Sequence, residues 1–166
     1  VRLGERSILQ HVNWQWRCGE QWALLGANGT GKSTLSGVLE QRTPFWNGKI
    51  QRHPKLDGAR RIRRVGLEQQ QRLVAREERK DRWEEYSGRA QHGLTPREWI
   101  IERDGVSVTT RLQTLAEEVG LVELLDRPLR WFSNGEIRKV LLLQALLDDP
   151  ALLILDEPFD GLDASS

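Results

Sequence analysis

An apolar run, Trp22-Ala23-Leu24-Leu25, leads directly into Gly26-Ala27-Asn28-Gly29-Thr30-Gly31-Lys32-Ser33, and a helical apolar pattern follows at once. No other stretch constrains the fold of this chain as tightly. Glycine at 26, 29 and 31 admits backbone torsions that bulkier residues resist, so successive N–H groups can turn inward toward an anion. The start of the following helix adds unpaired N–H groups and the positive end of its dipole. Lys32 is placed to reach the β- and γ-phosphates of a nucleotide, the Ser33 hydroxyl can ligate Mg2+, and Thr34 continues the same turn. A glycine-rich turn without a ligand is the plain alternative, and the strand-loop-helix context argues against it. Residues 22–25 are expected as a buried strand, and Leu35, Val38 and Leu39 predict a helix over 33–41 that Pro44 ends.

A second apolar run, Leu152-Leu153-Ile154-Leu155, ends in Asp156-Glu157-Pro158. A buried strand there delivers two carboxylates to its C-terminal end, where open parallel sheets bind ligands. Asp156 is suited to hold Mg2+ through water, and Glu157 to orient or deprotonate an attacking water. Taken alone, the same residues could be a turn that merely ends a strand.

The third element is Ser133-Asn134-Gly135-Glu136, which follows Trp131-Phe132 and opens an apolar-periodic stretch through Ile137, Val140, Leu141, Ala145 and Leu146. Ser133 with Glu136 three residues later is a capping box. Capping leaves Gly135 unexplained, because glycine early in a helix costs stability. It is useful if a phosphate must approach the backbone at that helix start.

Around these elements, Val12, Trp14 and Trp16 alternate with polar residues and predict a strand over 8–16. Arg17-Cys18-Gly19-Glu20 is a turn, with Cys18 expected as a small buried apolar residue. Arg60 to Glu68 is expected as a strand; its cluster Arg60, Arg61, Arg63, Arg64 is read as a solvated strand face rather than a nucleic-acid patch, since no aromatic platform interleaves it. Leu73 to Tyr86 is a charged helix, 88–95 a loop, and Leu112, Leu115, Ala116 and Val119 form a helical stripe stopped at Gly120. Strand, glycine loop, helix, inserted helices and a fully apolar strand together make an α/β pattern with a parallel core sheet.

The length suits one domain, and a net charge of +1 favours neither nucleic acid nor an anionic membrane as partner. The single cysteine cannot form an internal disulfide, which fits a reducing cytosol. No apolar run approaches the roughly 20 residues needed to span a bilayer.

In this order, Gly26–Ser33, Phe132–Glu136, Leu152–Glu157 and Asp160-Gly161-Leu162-Asp163 resemble the Walker A, signature, Walker B and D-loop motifs of ATP-binding-cassette (ABC) ATPases. Within that family the wording around Ser133 and Asp156 is similar to the first cassette of tandem-cassette proteins of the ModF type, a group linked with molybdate transport or photorepair. Leu67-Glu68-Gln69, followed by Gln70-Gln71, also resembles that group and marks Gln69 as the Q-loop glutamine, with Gln70 the close alternative. The resemblance implies a P-loop NTPase fold: a parallel-sheet ATPase core, an N-terminal antiparallel β part, and an inserted helical subdomain over roughly 71–147. The domain is expected to span 1–166 and to be incomplete at its C-terminus.

The same resemblance implies a mechanism. ATP with Mg2+ is bound by Gly26–Thr34 and covered by Ser133, Asn134, Gly135 and Glu136 of a facing cassette. Mg2+ is held by Ser33, Gln69 and Asp156, Glu157 and Gln69 serve catalysis, and Asp163 couples the two sites. The facing cassette belongs to the same longer chain or to a second copy, with membrane-transport subunits as further possible partners and no nucleic acid expected. The location implied is cytoplasmic, or peripheral on the inner face of the plasma membrane. Three positions depart from the family pattern. Leu3 stands where an aromatic usually stacks on adenine, unless that aromatic lies upstream of the sequence, and Phe132 and Asn134 replace the commoner Leu and Gly. None of His11, His53 and His92 stands where the switch histidine is expected, after Glu157. The chain as it stands is therefore expected to bind ATP better than it hydrolyses it.

Overall fold

A computed structural model describes residues 2–3, 6–45, 47–57, 61–87, 93–104 and 109–158, so the D-loop positions Asp160, Gly161, Leu162 and Asp163 lie outside it, as does His92. The chain divides into two units, Val1–Pro54 and Lys55–Ser166.

The first unit opens with an antiparallel pair, β1 (Arg2–Leu3) and β2 (Arg6–Ser7), in the register Arg2↔Ser7. The strands expected over 8–16 and 22–25 are absent from the described residues, which run there without regular structure. A strand exists only where a neighbour completes its ladder, and no backbone ladder among the described residues pairs either run. Trp14 instead stacks on Trp16 at 5.3 Å and meets Trp22 edge-on at 5.5 Å. The Arg17–Glu20 turn forms as expected, closed by Glu20 N–H to Arg17 O at 3.2 Å, with Gly19 at φ +85°. Cys18 is exposed on that turn, contrary to the buried position expected of it. Beyond the glycine loop comes α1 (Lys32–Leu39).

In the second unit, β3 (Ile62–Val65) pairs in parallel with β4 (Leu152–Leu155), Ile62 opposite Leu152 and Val65 opposite Leu155. A parallel pair needs a long crossover, and here it carries four α-helices among the described residues. These are α2 (Leu67–Ser87), α3 (Pro96–Asp104), α4 (Thr109–Val119) and α5 (Asn134–Leu147). The strand expected over 60–68 stops at Val65, and α2 begins six residues earlier than its apolar pattern indicated. α3 was not anticipated; it is capped by Thr95, whose N–H reaches Glu98 Oε2 at 3.0 Å while Glu98 N–H returns to the Thr95 hydroxyl at 3.2 Å.

α5 packs against α2, α4 and β3. Its Ile137, Val140, Leu141 and Leu143 join Leu73, Trp99, Ile100, Leu112, Ala116, Leu121, Leu125 and Leu129 in one buried cluster. Each large aliphatic chain removed from water there contributes about 1.5–3 kcal/mol. No helix among the described residues is long and apolar enough to cross a membrane.

Of the basic cluster, Arg60 lies outside the described residues, and Arg61, Arg63 and Arg64 are not a solvated face. Arg63 pairs with Asp148 and Arg64 with Asp156, with only 22% and 13% of the arginine side chains exposed. Arg61 donates to Lys55 O at 3.0 Å and Asp149 O at 3.2 Å. These arginines tie β3 to the two ends of β4.

Two helices end in the same geometry with different residues. At the end of α4, Gly120 (φ +66°) and Leu121 donate to Glu117 O and Ala116 O at 3.2 and 2.8 Å. At the end of α1, Gln41 (φ +63°) and Arg42 donate to Val38 O and Gly37 O at 3.1 and 2.8 Å. Both are Schellman ends, and a left-handed residue with a Cβ carries strain that glycine avoids. Gln41→Gly is expected to raise stability by about 0.5–1 kcal/mol, read from the unfolding midpoint. A lower midpoint would mean that Gln41 carries no strain in this geometry.

Candidate active site

In the first unit, Gly26–Gly31 forms a tight loop in which Thr30 bonds back to Ala27 O, its hydroxyl at 2.9 Å. Gly29 and Gly31 have φ of +81° and +95°. At Gly31 a Cβ would also lie 2.9 Å from both Ile8 Cγ2 and Leu9 Cδ2, so glycine is required there by space as well as torsion. Gly31 is the N-cap of α1 and supplies no side-chain cap, which leaves the first N–H groups of that helix for a ligand. Lys32 folds back over the loop, its Nζ 2.7 Å from Gly26 O and 2.9 Å from Ala27 O. An ammonium carries three donors, so two carbonyls leave it capacity for an anionic oxygen. Asn28, Thr30 and Ser33 are exposed, and Thr34 is half-buried.

In the second unit, the C-terminal ends of β3 and β4 lie side by side, joined by Asp156 N–H to Val65 O at 2.9 Å. Gly66 separates β3 from α2 there. A Cβ at Gly66 would sit 2.9 Å from Asp156 Cβ and 3.6 Å from Gln69 Oε1, so the absent side chain is what lets these residues approach. Asp156 is ion-paired with Arg64. Gln69 Oε1 is buried and finds no hydrogen-bond partner among the described residues. Such an oxygen costs about 1–3 kcal/mol unless something supplies a partner. Glu157 is exposed and adopts φ +51°, a left-handed conformation that a residue with a Cβ rarely takes.

Gln70 differs from its neighbour. It is 5% exposed, donates from Nε2 to Asn134 Oδ1 at 2.9 Å, and accepts from Arg138 Nε at 3.1 Å. Both ends of its amide are therefore occupied by α5, whereas the Gln69 oxygen is free. The two glutamines that sequence alone leaves in competing register thus differ in their bonding.

The start of α5 carries the expected capping box: Ser133 N–H donates to Glu136 Oε2 at 2.6 Å, and Glu136 N–H to Ser133 Oγ at 3.2 Å. The Glu136 carboxyl is held below its ordinary value first by the Ser133 N–H. Burial opposes this, while the Ser133 hydroxyl, Arg127 and Lys139 add to it. Ser133 and Asn134 are exposed and Gly135 half-buried, so this backbone is open to a ligand. Phe132 packs on the core and anchors the segment from behind. Sequence reasoning gave Gly66 and Arg138 no role at the site and read Arg64 as part of a solvated face; a glycine between a strand and a glutamine-rich helix start was the one available signal.

No group of three or more His, Cys, Asp or Glu gathers among the described residues to hold a metal. A magnesium bound with a nucleotide needs only one or two protein oxygens beside phosphates and water. Within the second unit, the untied Gln69 oxygen beside Asp156 fits that requirement.

The family model described as ABC transporter matches residues 9–160. The chain is 39% identical to the ABC transporter ATP-binding protein ModF of Escherichia coli, over 99% of its own length and 32% of that protein. It is 35% identical to the zinc import ATP-binding protein ZnuC of Halorhodospira halophila, over 100% of the chain and 55% of the relative. For ZnuC of Alkalilimnicola ehrlichii the identity is 36%, over 98% and 54%. The chain thus spans between about a third and just over half of the curated relatives it matches.

Gly66→Ala is expected to lower stability by about 1–3 kcal/mol through overpacking against Asp156; an unchanged denaturation midpoint would show that the junction has slack. Glu136 generates a pH effect. Its folded-state value is depressed, so its stabilisation is full above the unfolded carboxyl value of about 4.3 and fades as pH falls through the lower folded value. The stability difference between wild type and Glu136→Gln should therefore stay level above about pH 5 and shrink below about pH 4. A difference that does not change with pH would contradict the bonding described for that carboxyl.

Proposed function

This chain belongs to the ABC transporter family, and we propose that it binds Mg-ATP through Gly26–Thr34 and hydrolyses it within a longer protein. The observation that carries this reading is the Gln69 oxygen, buried and untied, beside Asp156 at the C-terminal end of the parallel pair. That end is where ligands bind in open parallel sheets. Lys32 and the α1 N–H groups hold the phosphate oxygens, and Glu157 takes the proton of the attacking water. Water adds to the γ-phosphorus, the bond to the β-γ bridging oxygen breaks, and ADP leaves with that oxygen. Ser33, Gln69 and Asp156 would hold the magnesium ion, which when bound offsets charge on the phosphates. Ser133, Asn134, Gly135 and Glu136, with their open helix start, serve an ATP held by a second cassette, and Asp163 is assigned the coupling of the two sites. Helices α2 to α5 act as the inserted subdomain, over about 71–147.

The resemblance to ModF, only 32% of which is matched, supports a protein in which this cassette is followed by more sequence, and we favour a tandem arrangement. The ZnuC relatives, named for zinc import and matched over 55% of their length, favour a second reading: an ATP-binding subunit that works with membrane partners from the cytoplasmic face. A second glycine loop downstream of Ser166 in the complete protein supports the tandem reading, and its absence supports the subunit. No cargo is assigned.

In the complete protein, Lys32→Ala is expected to weaken ATP binding at least tenfold, about 1.4 kcal/mol or more, measured with a fluorescent nucleotide. Glu157→Gln is expected to keep binding while turnover falls at least about a hundredfold. Equal turnover in Glu157→Gln and wild type would remove Glu157 from the chemistry.

A further inference from the structure

The geometry points to Arg138 as a positioning residue that couples the start of α5 to both catalytic segments. This inference rests on the ATPase reading above and extends it to a residue outside the motifs. Arg138 lies one turn into α5, four residues from Asn134 and so on the same face of the helix. Its Nε donates to Gln70 Oε1 at 3.1 Å, and its Nη1 makes a longer contact to Glu157 O at 3.4 Å.

Asn134 completes the arrangement by accepting from Gln70 Nε2 at 2.9 Å. α5 thus clasps both ends of one buried amide. Gln70 stands on the first turn of α2, where consecutive side chains diverge by about 100°. Fixing Gln70 against α5 therefore fixes the direction of Gln69, whose untied oxygen lies on the Gly66 side.

The second arm of Arg138 reaches the carbonyl of a residue held at φ +51°. Left-handed backbone at a residue with a Cβ persists only where its surroundings hold it, and a guanidinium donor on that carbonyl is one such hold. A single planar cation therefore spans the segment that would face a second nucleotide, the helix that aims Gln69, and the backbone that aims Glu157. A shift at Ser133–Gly135 has a direct route to the water-activating carboxylate. Lysine could not reproduce this, because one ammonium lacks the fixed fork that reaches two acceptors in different directions.

The test uses the complete protein with Arg138→Ala, Arg138→Lys, Gln70→Leu and the double variant Arg138→Ala/Gln70→Leu. Arg138→Ala should lower kcat about tenfold to a hundredfold, while the Kd for ATP stays within about twofold, since no Walker A contact changes. Arg138→Lys should fail to restore kcat. The double variant should be no slower than the slower single variant, because both remove one clasp. Backbone hydrogen exchange should rise at 67–71 and 156–158 in Arg138→Ala and stay unchanged in α4. Arg138→Ala with unchanged kcat and unchanged exchange overturns the proposal, as do multiplicative losses in the double variant. A wild-type protein that binds but never hydrolyses ATP overturns the ATPase reading instead, and exchange at the two segments still decides whether Arg138 holds them.

Discussion

The parallel pairing of β3 with β4 is the constraint on which the second unit depends. It sets Val65 opposite Leu155, so the residues that follow each strand emerge together. Gly66 then allows the start of α2 to pass close to Asp156, and Arg63 and Arg64 lock the pair at its two ends through Asp148 and Asp156. Buried ion pairs of this kind add little net stability, because desolvation opposes the attraction. Their effect here is registry: a slip by one residue would place each arginine on the wrong face.

α5 serves two roles at once. Its apolar face organises the core, while its first turns present the open backbone at Ser133–Gly135 and the polar groups Asn134 and Arg138. A helix that is packed along its length and capped at its start moves as one piece. The Ser133–Gly135 segment is therefore continuous with the side chains that contact Gln70 and the Glu157 carbonyl.

What could be read from sequence divides along physical lines. β4, α4 and α5 were legible because each signal is local: an unbroken apolar run, a stripe ended by Gly120, and a capping box at Ser133. α3 carries an equally local signal in Thr95-Pro96-Arg97-Glu98, but its apolar residues do not form a long stripe. The runs at 8–16 and 22–25 have strand-like composition, yet a strand is a property of a ladder, and the tryptophans there pack on one another instead. The arginines of β3 looked solvated because their partners lie far along the chain. The glycine loop and the placement of Asp156-Glu157 at the end of an apolar strand were legible as local structure. Gly66, Arg64 and Arg138 were not, since their roles arise only when strands and helices from distant stretches meet.

The central claim is that the ends of β3 and β4 form the hydrolytic half of a nucleotide site. The most direct measurement is phosphate release by the complete wild-type protein in saturating ATP, with magnesium present and then removed by chelation. Sustained release that stops on chelation and resumes when magnesium is restored is the expected result. ATP bound by the intact protein without phosphate release in magnesium would contradict it.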